Sequence, residues 1–253
     1  MIELSVIVPV HNEENNILFL SDRIRKTLGA LNYELIWIND GSTDDTNKKI
    51  IEYADERTIL VDLAGNFGQS AAMQAGIHHA KANVIAFLDG DGQNDPADIL
   101  PMYNLFESGN WDLVAGVRAN RMDPFLKKIP SIAANWLIKK LTRSNIKDLG
   151  CTLRLVRRSW AMTLPLKNGM HRYINLLLAK NGAIYTQVNV IHNPRLWGKS
   201  KYGWGRLFPV LRDLWNILKD RTVSTQPYTC HHYKIARYWK ANQATPTFDK
   251  AIG

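Results

Sequence analysis

The sequence predicts an α/β fold in which a mixed, mostly parallel sheet is flanked by helices. The first observation is that apolar runs typical of buried strands alternate with segments of helical spacing through residue 117. The second is that polar, turn-forming residues follow each of the first four strands. A helix between two strands returns the chain to the same end of the sheet, so this order predicts βαβ units.

The predicted elements of the first half follow one another as strand, helix, strand. The strands are short apolar runs, namely Leu4–Val10, Tyr33–Ile38, Thr58–Leu63, Val84–Leu88 and Leu113–Val117. The first helix spans Glu13–Leu28, where Ile17, Leu20, Ile24 and Leu28 share one face. Ser42 or Thr43 is expected to cap a second helix ending near Ala54. A third spans Ser70–Ala80, and Pro96 is expected to start a fourth.

The second half of the chain differs from the first in its pattern of apolar and charged residues. Residues 125–141 are predicted to form a basic amphipathic helix, or a helix pair broken near Pro130, and 205–219 a second amphipathic helix. Short strands are predicted at Leu153–Val156 and Ile184–Ile191. Trp136, Phe208 and Trp215 lie on the apolar faces, which suits either a membrane interface or packing on the core. We therefore expect one domain over 1–220, divided into 1–117, 118–204 and a helical 205–220. Residues 221–253 are expected to form an irregular tail.

Composition restricts the class of protein. A chain of 253 residues, 45% of them hydrophobic, suits a single large globular domain. Without an 18-residue apolar run or a signal peptide pattern, we expect no transmembrane helix. Two scattered cysteines favour a reducing cytoplasm over a disulfide framework.

The charges are divided unevenly along the chain. Residues 1–117 carry 7 Lys and Arg against 18 Asp and Glu, and residues 118–253 carry 25 against 5. An acidic half suits a metal-assisted site, whereas a basic half suits phosphate groups or an anionic surface. Unequal surface decoration is the alternative explanation.

The segment Asp89-Gly90-Asp91-Gly92-Gln93 is the most informative in the chain. It follows a predicted buried strand, so both carboxylates are expected at the carboxyl edge of the sheet, where open α/β sheets bind ligands. Two hard oxygen ligands there suit Mg²⁺ or Mn²⁺, ions that bridge substrate phosphates. Similar polar clusters follow the first three strands, at 9–13, 39–46 and 65–72.

In this order the four clusters resemble those of family-2 inverting glycosyltransferases with the GT-A fold, over about residues 3–220. The similarity is greatest to the branch that uses dolichyl or undecaprenyl phosphate. The resemblance implies a nucleotide-sugar site formed by Pro9, His11, Asn12, Glu13, Asp40, Asn66, Gly68, Gln69 and Asp89. It also implies metal ligation by Asp91, with Asp89 and Gln93 near the ion. Ala64-Gly65 departs from the Ser-Arg of many relatives, which removes a donor-contacting arginine.

The second half carries further matches to this family. Gly116-Val117-Arg118 resembles a segment whose arginine reaches phosphate, and Asp148-Leu149-Gly150-Cys151-Thr152-Leu153-Arg154 resembles a segment near the sugar. Residues 192–202 resemble a loop that folds over donor and acceptor. The predicted acceptor-phosphate residues are Arg118, Lys127, Ser131, Arg195, Ser200 and Lys201, with Lys128 as the competitor of Lys127. Arg118 pairing with a surface carboxylate, and Asp148 as a helix cap, are the structural alternatives.

The predicted reaction transfers a sugar from a UDP- or GDP-linked donor to a polyprenyl phosphate. Asp91, Arg118 and Asp148 are the predicted catalytic residues, with Asp148 either a base or a group that orients the sugar or a cationic partner. The expected location is the cytoplasmic face of a membrane, reached through the amphipathic helices or a membrane-protein subunit. Alternatives are a hydroxyl acceptor in polysaccharide or glycolipid synthesis, a non-enzymatic basic binding module, and a nucleotidyltransferase. We expect no nucleic-acid partner, because the carboxylate clusters would repel a polyanion.

Overall fold

The computed structural model describes residues 1–119, 145–167, 169–195, 228 and 232–241. The strands are β1 Leu4–Val10, β2 Tyr33–Asn39, β3 Thr58–Leu63, β4 Val84–Phe87, β5 Leu113–Arg118, β6 Arg154–Arg157, β7 Tyr185–Val190 and β8 Ile235–Lys240. The helices are α1 Ile17–Leu28, α2 Thr46–Glu52, α3 Gln69–His79, α4 Ile99–Ser108, α5 Arg158–Ala161 and α6 Ile174–Lys180. Short 3₁₀ helices at Pro96–Asp98 and Met170–Tyr173 precede α4 and α6.

All eight strands form one sheet in the order β7-β5-β6-β4-β1-β2-β3-β8. The pairs β1–β2, β1–β4, β2–β3 and β5–β7 are parallel. Only β6 and β8 run antiparallel to their neighbours among the described strands. The predicted mixed, mostly parallel sheet with flanking helices is confirmed.

Helices cover both faces of the sheet. One layer packs α3 and α6 against the sheet, and the other packs α1 and α4. Strands β1 and β2 are buried along their whole length, as continuous apolar runs in a parallel sheet should be. Helix α3 lies close to β1, because a Cβ on Gly76 would come within 2.4 Å of the Ile7 side chain.

Proline is unusual in a central strand, and Pro9 lies in β1. The pairing of β1 with β4 ends at Ile7 and Phe87, with one further bond from the Leu88 amide to the Ile7 carbonyl. Residues of equal parity in a strand face the same neighbour, so the nitrogen of Pro9 faces the side where β4 has already ended. The missing donor therefore breaks no ladder bond, and the chain can open towards the site.

Two sequence-based boundaries need correction. Helix α1 begins at Ile17 rather than Glu13. Residues 12–16 form a polar turn, in which the side-chain amide of Asn16 donates to the Glu13 carboxylate. The expectation that 221–253 lacks regular structure is wrong for Ile235–Lys240, which is the edge strand β8. Helix α6 was not predicted.

Both predicted amphipathic helices, at 125–141 and 205–219, lie outside the described residues. Within the described part of the chain, no helix combines the length and apolar character needed to cross a bilayer.

Candidate functional site

The loops after β1 and β2 are joined by side chain to backbone hydrogen bonds. The Asn12 amide donates to Ser42 Oγ at 2.9 Å, and Asn12 Oδ1 accepts from the Thr43 amide at 2.7 Å. Asn12 has a φ of 56°, which asparagine tolerates better than most residues. The Glu13 amide donates to Thr46 Oγ1 at 2.9 Å. Asn12 and Glu13, both predicted at the nucleotide-sugar site, therefore fix the relative position of the two loops.

His11 connects three of the strand-end loops. Its Nδ1 lies 2.8 Å from the Asp40 carbonyl oxygen, and its Nε2 lies 3.1 Å from Asn66 Nδ2. A carbonyl only accepts, so Nδ1 carries the proton, and Nε2 accepts from the Asn66 amide. The ring is therefore the Nδ1–H tautomer, positioned between the β2 and β3 loops.

The buried carboxylate of Asp40 holds the loop after β3. Its Oδ1 accepts from the Phe67 amide at 2.7 Å and its Oδ2 from the Gly68 amide at 2.8 Å. Asp40 was predicted at the nucleotide-sugar site, and here both of its carboxylate oxygens accept from this loop. Its contact with a nucleotide stays a prediction, while its role in shaping the loop is visible.

Asp89 lies at the carboxyl end of β4, below the N-terminus of α3. Its Oδ1 accepts from Gln69 Nε2 at 2.8 Å. Burial first, and then the charge of Asp91, raises the pKa of Asp89 to about 6, against the opposing effects of Thr152, Arg154 and Gln69. Ionising both Asp89 and Asp91 is therefore unfavourable unless a cation lies nearby.

Arg154, on β6, places a buried positive charge near Asp89. The side chain is buried, and its guanidinium donates to the carbonyls of Cys151, Thr152 and His171. Desolvation lowers the pKa of Arg154 to about 10, so it stays charged at neutral pH. It therefore offsets part of the negative charge of Asp89.

Asp91 forms an ion pair with Arg195. Arg195 Nη2 lies 2.5 Å from Asp91 Oδ2, and Asp91 Oδ1 accepts from the backbone amide of Gln93 at 3.1 Å. The two side chains are mostly buried, at 21% and 13% exposure. A predicted metal ligand and a predicted phosphate-binding arginine are thus in direct contact.

Arg118 and Asp148 form a second, bidentate ion pair. Arg118 Nε lies 2.7 Å from Asp148 Oδ2, and Arg118 Nη2 lies 2.8 Å from Asp148 Oδ1. Asp148 Oδ1 also accepts from the Gly150 amide, and a Cβ on Gly150 would come within 2.7 Å of Arg118 Nη2. The sequence predicted Arg118 at the acceptor phosphate; the structure shows that Asp148 orients it.

The residues at the end of β4 fit a divalent cation. Asp89, Asp91 and Gln93 supply hard oxygen donors, and Asp91 already has a cationic partner. Among the described residues, no group of three or more His, Cys, Asp or Glu side chains forms a ready-made metal cage. An ion held by one or two carboxylates would complete its shell with water and phosphate oxygens, as Mg²⁺ commonly does.

The structure brings most predicted residues to one edge of the sheet. Strands β4, β5 and β7 run in the same direction, so the segments that follow them share an edge. Arg118 ends β5, and His192–Arg195 follow β7, beside Gln93 and Asn94. The predicted residues Lys127, Ser131, Ser200 and Lys201 lie outside the described residues.

Sequence reasoning did not identify His171 as a residue of this edge. His171 Nδ1 lies 2.8 Å from the hydroxyl of Ser70, in the first turn of α3, and the His171 amide is 3.3 Å from the same oxygen. The hydroxyl accepts from the amide, and it either donates to Nδ1 or accepts from it, depending on the tautomer of His171. The two residues are 101 positions apart, and no spacing pattern connects them.

The fold is of the GT-A type, with a polar edge at the carboxyl ends of its parallel strands. The chain is similar to solved structures of glucosyl-3-phosphoglycerate synthase from Mycobacterium tuberculosis, one with Mn²⁺, UDP and glucosyl-3-phosphoglycerate and another with Mn²⁺, UDP and phosphoglyceric acid. The first has a TM-score of 0.66 at 19% identity, covering 85% of this chain and 78% of that one. The second has a TM-score of 0.66 at 20% identity, covering 85% and 77%. At such identities the likeness shows the fold.

The sequence comparison gives the family. The model of glycosyl transferase family 2 matches residues 5–164, and the chain belongs to this family. It is 40% identical to dodecaprenyl-phosphate galacturonate synthase of Rhizobium johnstonii, over 89% of this chain and 69% of that protein. It is 32% identical to undecaprenyl-phosphate 4-deoxy-4-formamido-L-arabinose transferase of Yersinia pestis, over 84% and 66%. The protein is a glycosyltransferase, and the names of both relatives combine a polyprenyl phosphate with a sugar.

Proposed function

We propose that this enzyme transfers a sugar from a nucleoside-diphosphate donor to a polyprenyl phosphate, with inversion at the anomeric carbon. The observation that carries the proposal is the placement of Asp89 and Asp91 at the same sheet edge as Arg118 and Arg195. Carboxylates suit a cation on the donor pyrophosphate, and arginines suit an acceptor phosphate. The names of the Rhizobium and Yersinia relatives support the acceptor class.

On the donor side, His11, Asn66 and the loop held by Asp40 would enclose the nucleoside of a UDP- or GDP-linked sugar. Asp89 and Asp91, with Gln93 beside them, would hold Mg²⁺ or Mn²⁺. That ion would act as a Lewis acid on the leaving diphosphate. Through its hydrogen bond to Asp89, Gln69 would keep the N-terminus of α3 beside the leaving diphosphate.

On the acceptor side, the reaction requires the acceptor phosphate to be positioned rather than deprotonated. A phosphate monoester oxygen is already largely ionised near neutral pH, so it needs no general base. Arg118 would present its guanidinium to that phosphate, and Asp148 would hold it in one orientation through two hydrogen bonds. We therefore assign Asp148 as a positioning residue, in preference to a base.

Because the acceptor is a membrane lipid, we propose that the enzyme works at the cytoplasmic face of a membrane. Residues 125–141 and 205–219, with their basic and apolar sequence, are the segments proposed to approach the bilayer. A membrane-protein subunit that recruits the chain would serve the same purpose.

The test is release of nucleoside diphosphate from a panel of UDP- and GDP-sugars, with undecaprenyl phosphate and Mn²⁺ or Mg²⁺. We expect release that needs the lipid, and an Asp91→Asn variant slower by about a hundredfold or more, since a metal Lewis acid contributes several kcal/mol. Asp22→Asn makes the same chemical change at an exposed position on α1 and should leave the rate unchanged. Release of nucleoside diphosphate at the same rate with and without the lipid would refute the acceptor assignment.

A further inference from the structure

The contact between Arg195 and Asp91 uses the carboxylate on which the proposed cation depends. Arg195 Nη2 lies 2.5 Å from Oδ2, and Oδ1 already accepts from the Gln93 amide. At 21% and 13% exposure, the two side chains are largely shielded from water. A charge-assisted pair in such surroundings is stronger than a pair on the open surface.

The backbone that carries Arg195 is anchored beside the acidic loop. The Asn193 amide donates to the Gln93 carbonyl at 2.8 Å, and His192 pairs with Asn94 in an antiparallel bridge. One step earlier, the Ile191 amide donates to Asp98 Oδ2 at 2.7 Å. The position of Arg195 opposite Asp91 is therefore built into the fold, and a change of partner requires only its side chain to move.

A guanidinium and a divalent cation repel each other, and both carboxylate oxygens of Asp91 already have partners, Arg195 at Oδ2 and the Gln93 backbone amide at Oδ1. We infer that Arg195 and the divalent cation are alternative partners of Asp91. Without the cation, Arg195 neutralises the carboxylate; when the cation binds, Arg195 is released to a phosphate oxygen of a bound substrate. This inference rests on the proposed function, because it takes the cation to be the one that serves the donor diphosphate.

The exchange has a consequence that a purely structural ion pair would not have. Removal of Arg195 should improve binding of the metal alone, because the cation no longer displaces a competitor. It should impair turnover at the same time, because a phosphate contact is lost. An arginine that only stabilises the fold would leave metal affinity unchanged or weaken it.

The experiment titrates the whole 253-residue chain with Mn²⁺ alone and follows free Mn²⁺ by electron paramagnetic resonance. We expect Arg195→Ala to bind Mn²⁺ at least about fivefold more tightly than the unsubstituted protein, the lower end of typical coupling between sites. Arg195→Lys, which keeps a cation, should lie between the two. Arg157→Ala is the matched control: it removes an arginine paired with Asp112, beside Val84 at the opposite end of β4.

Each outcome decides a different point. Equal or weaker Mn²⁺ binding by Arg195→Ala, with Asp91→Asn abolishing binding, overturns the exchange and leaves the proposed metal site intact. No Mn²⁺ binding by either Arg195→Ala or the unsubstituted protein overturns both. Should Arg195→Ala fail to fold, Arg195→Lys still decides, because binding weaker than that of the unsubstituted protein contradicts the exchange.

Discussion

At the scale of single residues, the donor side of the site depends on a glycine that permits two loops to touch. Gly41 has a φ of 66°, and a Cβ there would lie 2.4 Å from the carbonyl carbon of Gly65. This close approach is what lets the neighbouring Asp40 reach the Phe67 and Gly68 amides. A position with both a left-handed backbone and no space admits only glycine.

Gly41→Ala should therefore destabilise the protein by more than the usual backbone term of about 1–3 kcal/mol. Gly182→Ala is the matched control, since Gly182 has a φ of 93° with no atom within 4 Å of its added Cβ. Urea denaturation of both variants separates the steric cost from the backbone cost. Nucleoside-diphosphate affinity should fall in Gly41→Ala alone, and an equal loss in both variants would contradict the role given to this contact.

At the scale of elements, strands were predicted correctly where their burial produces a local pattern of apolar residues in the sequence. Strands β1 to β4 are buried and mostly apolar, and a polar turn follows each strand at the sheet edge. Candidate residues of the donor side could therefore be found from the sequence alone. The start of α1 was misplaced because the helix was extended to Glu13, ahead of the first apolar position at Ile17, into a turn that polar side chains hold.

What could not be predicted depends on contacts between distant parts of the chain. Asp91 and Arg195 are 104 positions apart, and their pairing depends on the register between 93–94 and 192–193. Strand β8 is an edge strand, only partly buried, and it pairs with a strand more than 170 positions earlier. Half-buried edge strands lack the continuous apolar run that reveals central ones.

The segment before β8 is anchored to α3 by a hydrogen bond that a mild substitution can test. The buried Tyr233 hydroxyl lies 2.8 Å from His78 Nδ1, and burial raises the pKa of Tyr233. Tyr233→Phe should reduce the free energy of unfolding by about 1 kcal/mol, the typical net value of such a bond. Thermal or urea denaturation measures it.

A control for this change is Tyr103→Phe on α4, whose hydroxyl has no hydrogen-bond partner among the described residues. It removes the same atom and should alter the stability by much less. Faster proteolysis within 228–241 of Tyr233→Phe, but not of Tyr103→Phe, would locate the effect at β8. Equal stability of the two variants would show that the His78 bond contributes nothing.

At the scale of the whole molecule, the acidic and basic halves of the sequence share a single sheet. The charge changes sign near residue 118, yet β5 ends there while paired with both β6 and β7. The described strands of the basic half thus extend the same sheet, and bring its arginines to the acidic edge. The charge division is therefore a feature of the two sides of one site rather than of two separate domains.

The same division predicts how the full chain should meet a lipid surface. Its 25 Lys and Arg against 5 Asp and Glu in residues 118–253 should attract anionic lipids. We expect co-sedimentation with vesicles containing phosphatidylglycerol, weak binding to phosphatidylcholine alone, and loss of binding with salt. The screening length falls from about 10 Å at 0.1 M to about 3 Å at 1 M ionic strength, which sets the range to test.

Paired charge reversals decide which part of the chain is responsible. Lys139→Glu with Lys140→Glu changes the predicted amphipathic segment 125–141, and Lys48→Glu with Lys81→Glu makes the same change at exposed positions of the acidic half. Because electrostatic attraction to a surface is local within a screening length, the first pair should weaken vesicle binding and the second should not. Equal losses would assign the binding to net charge alone, and salt-insensitive binding would assign it to apolar insertion.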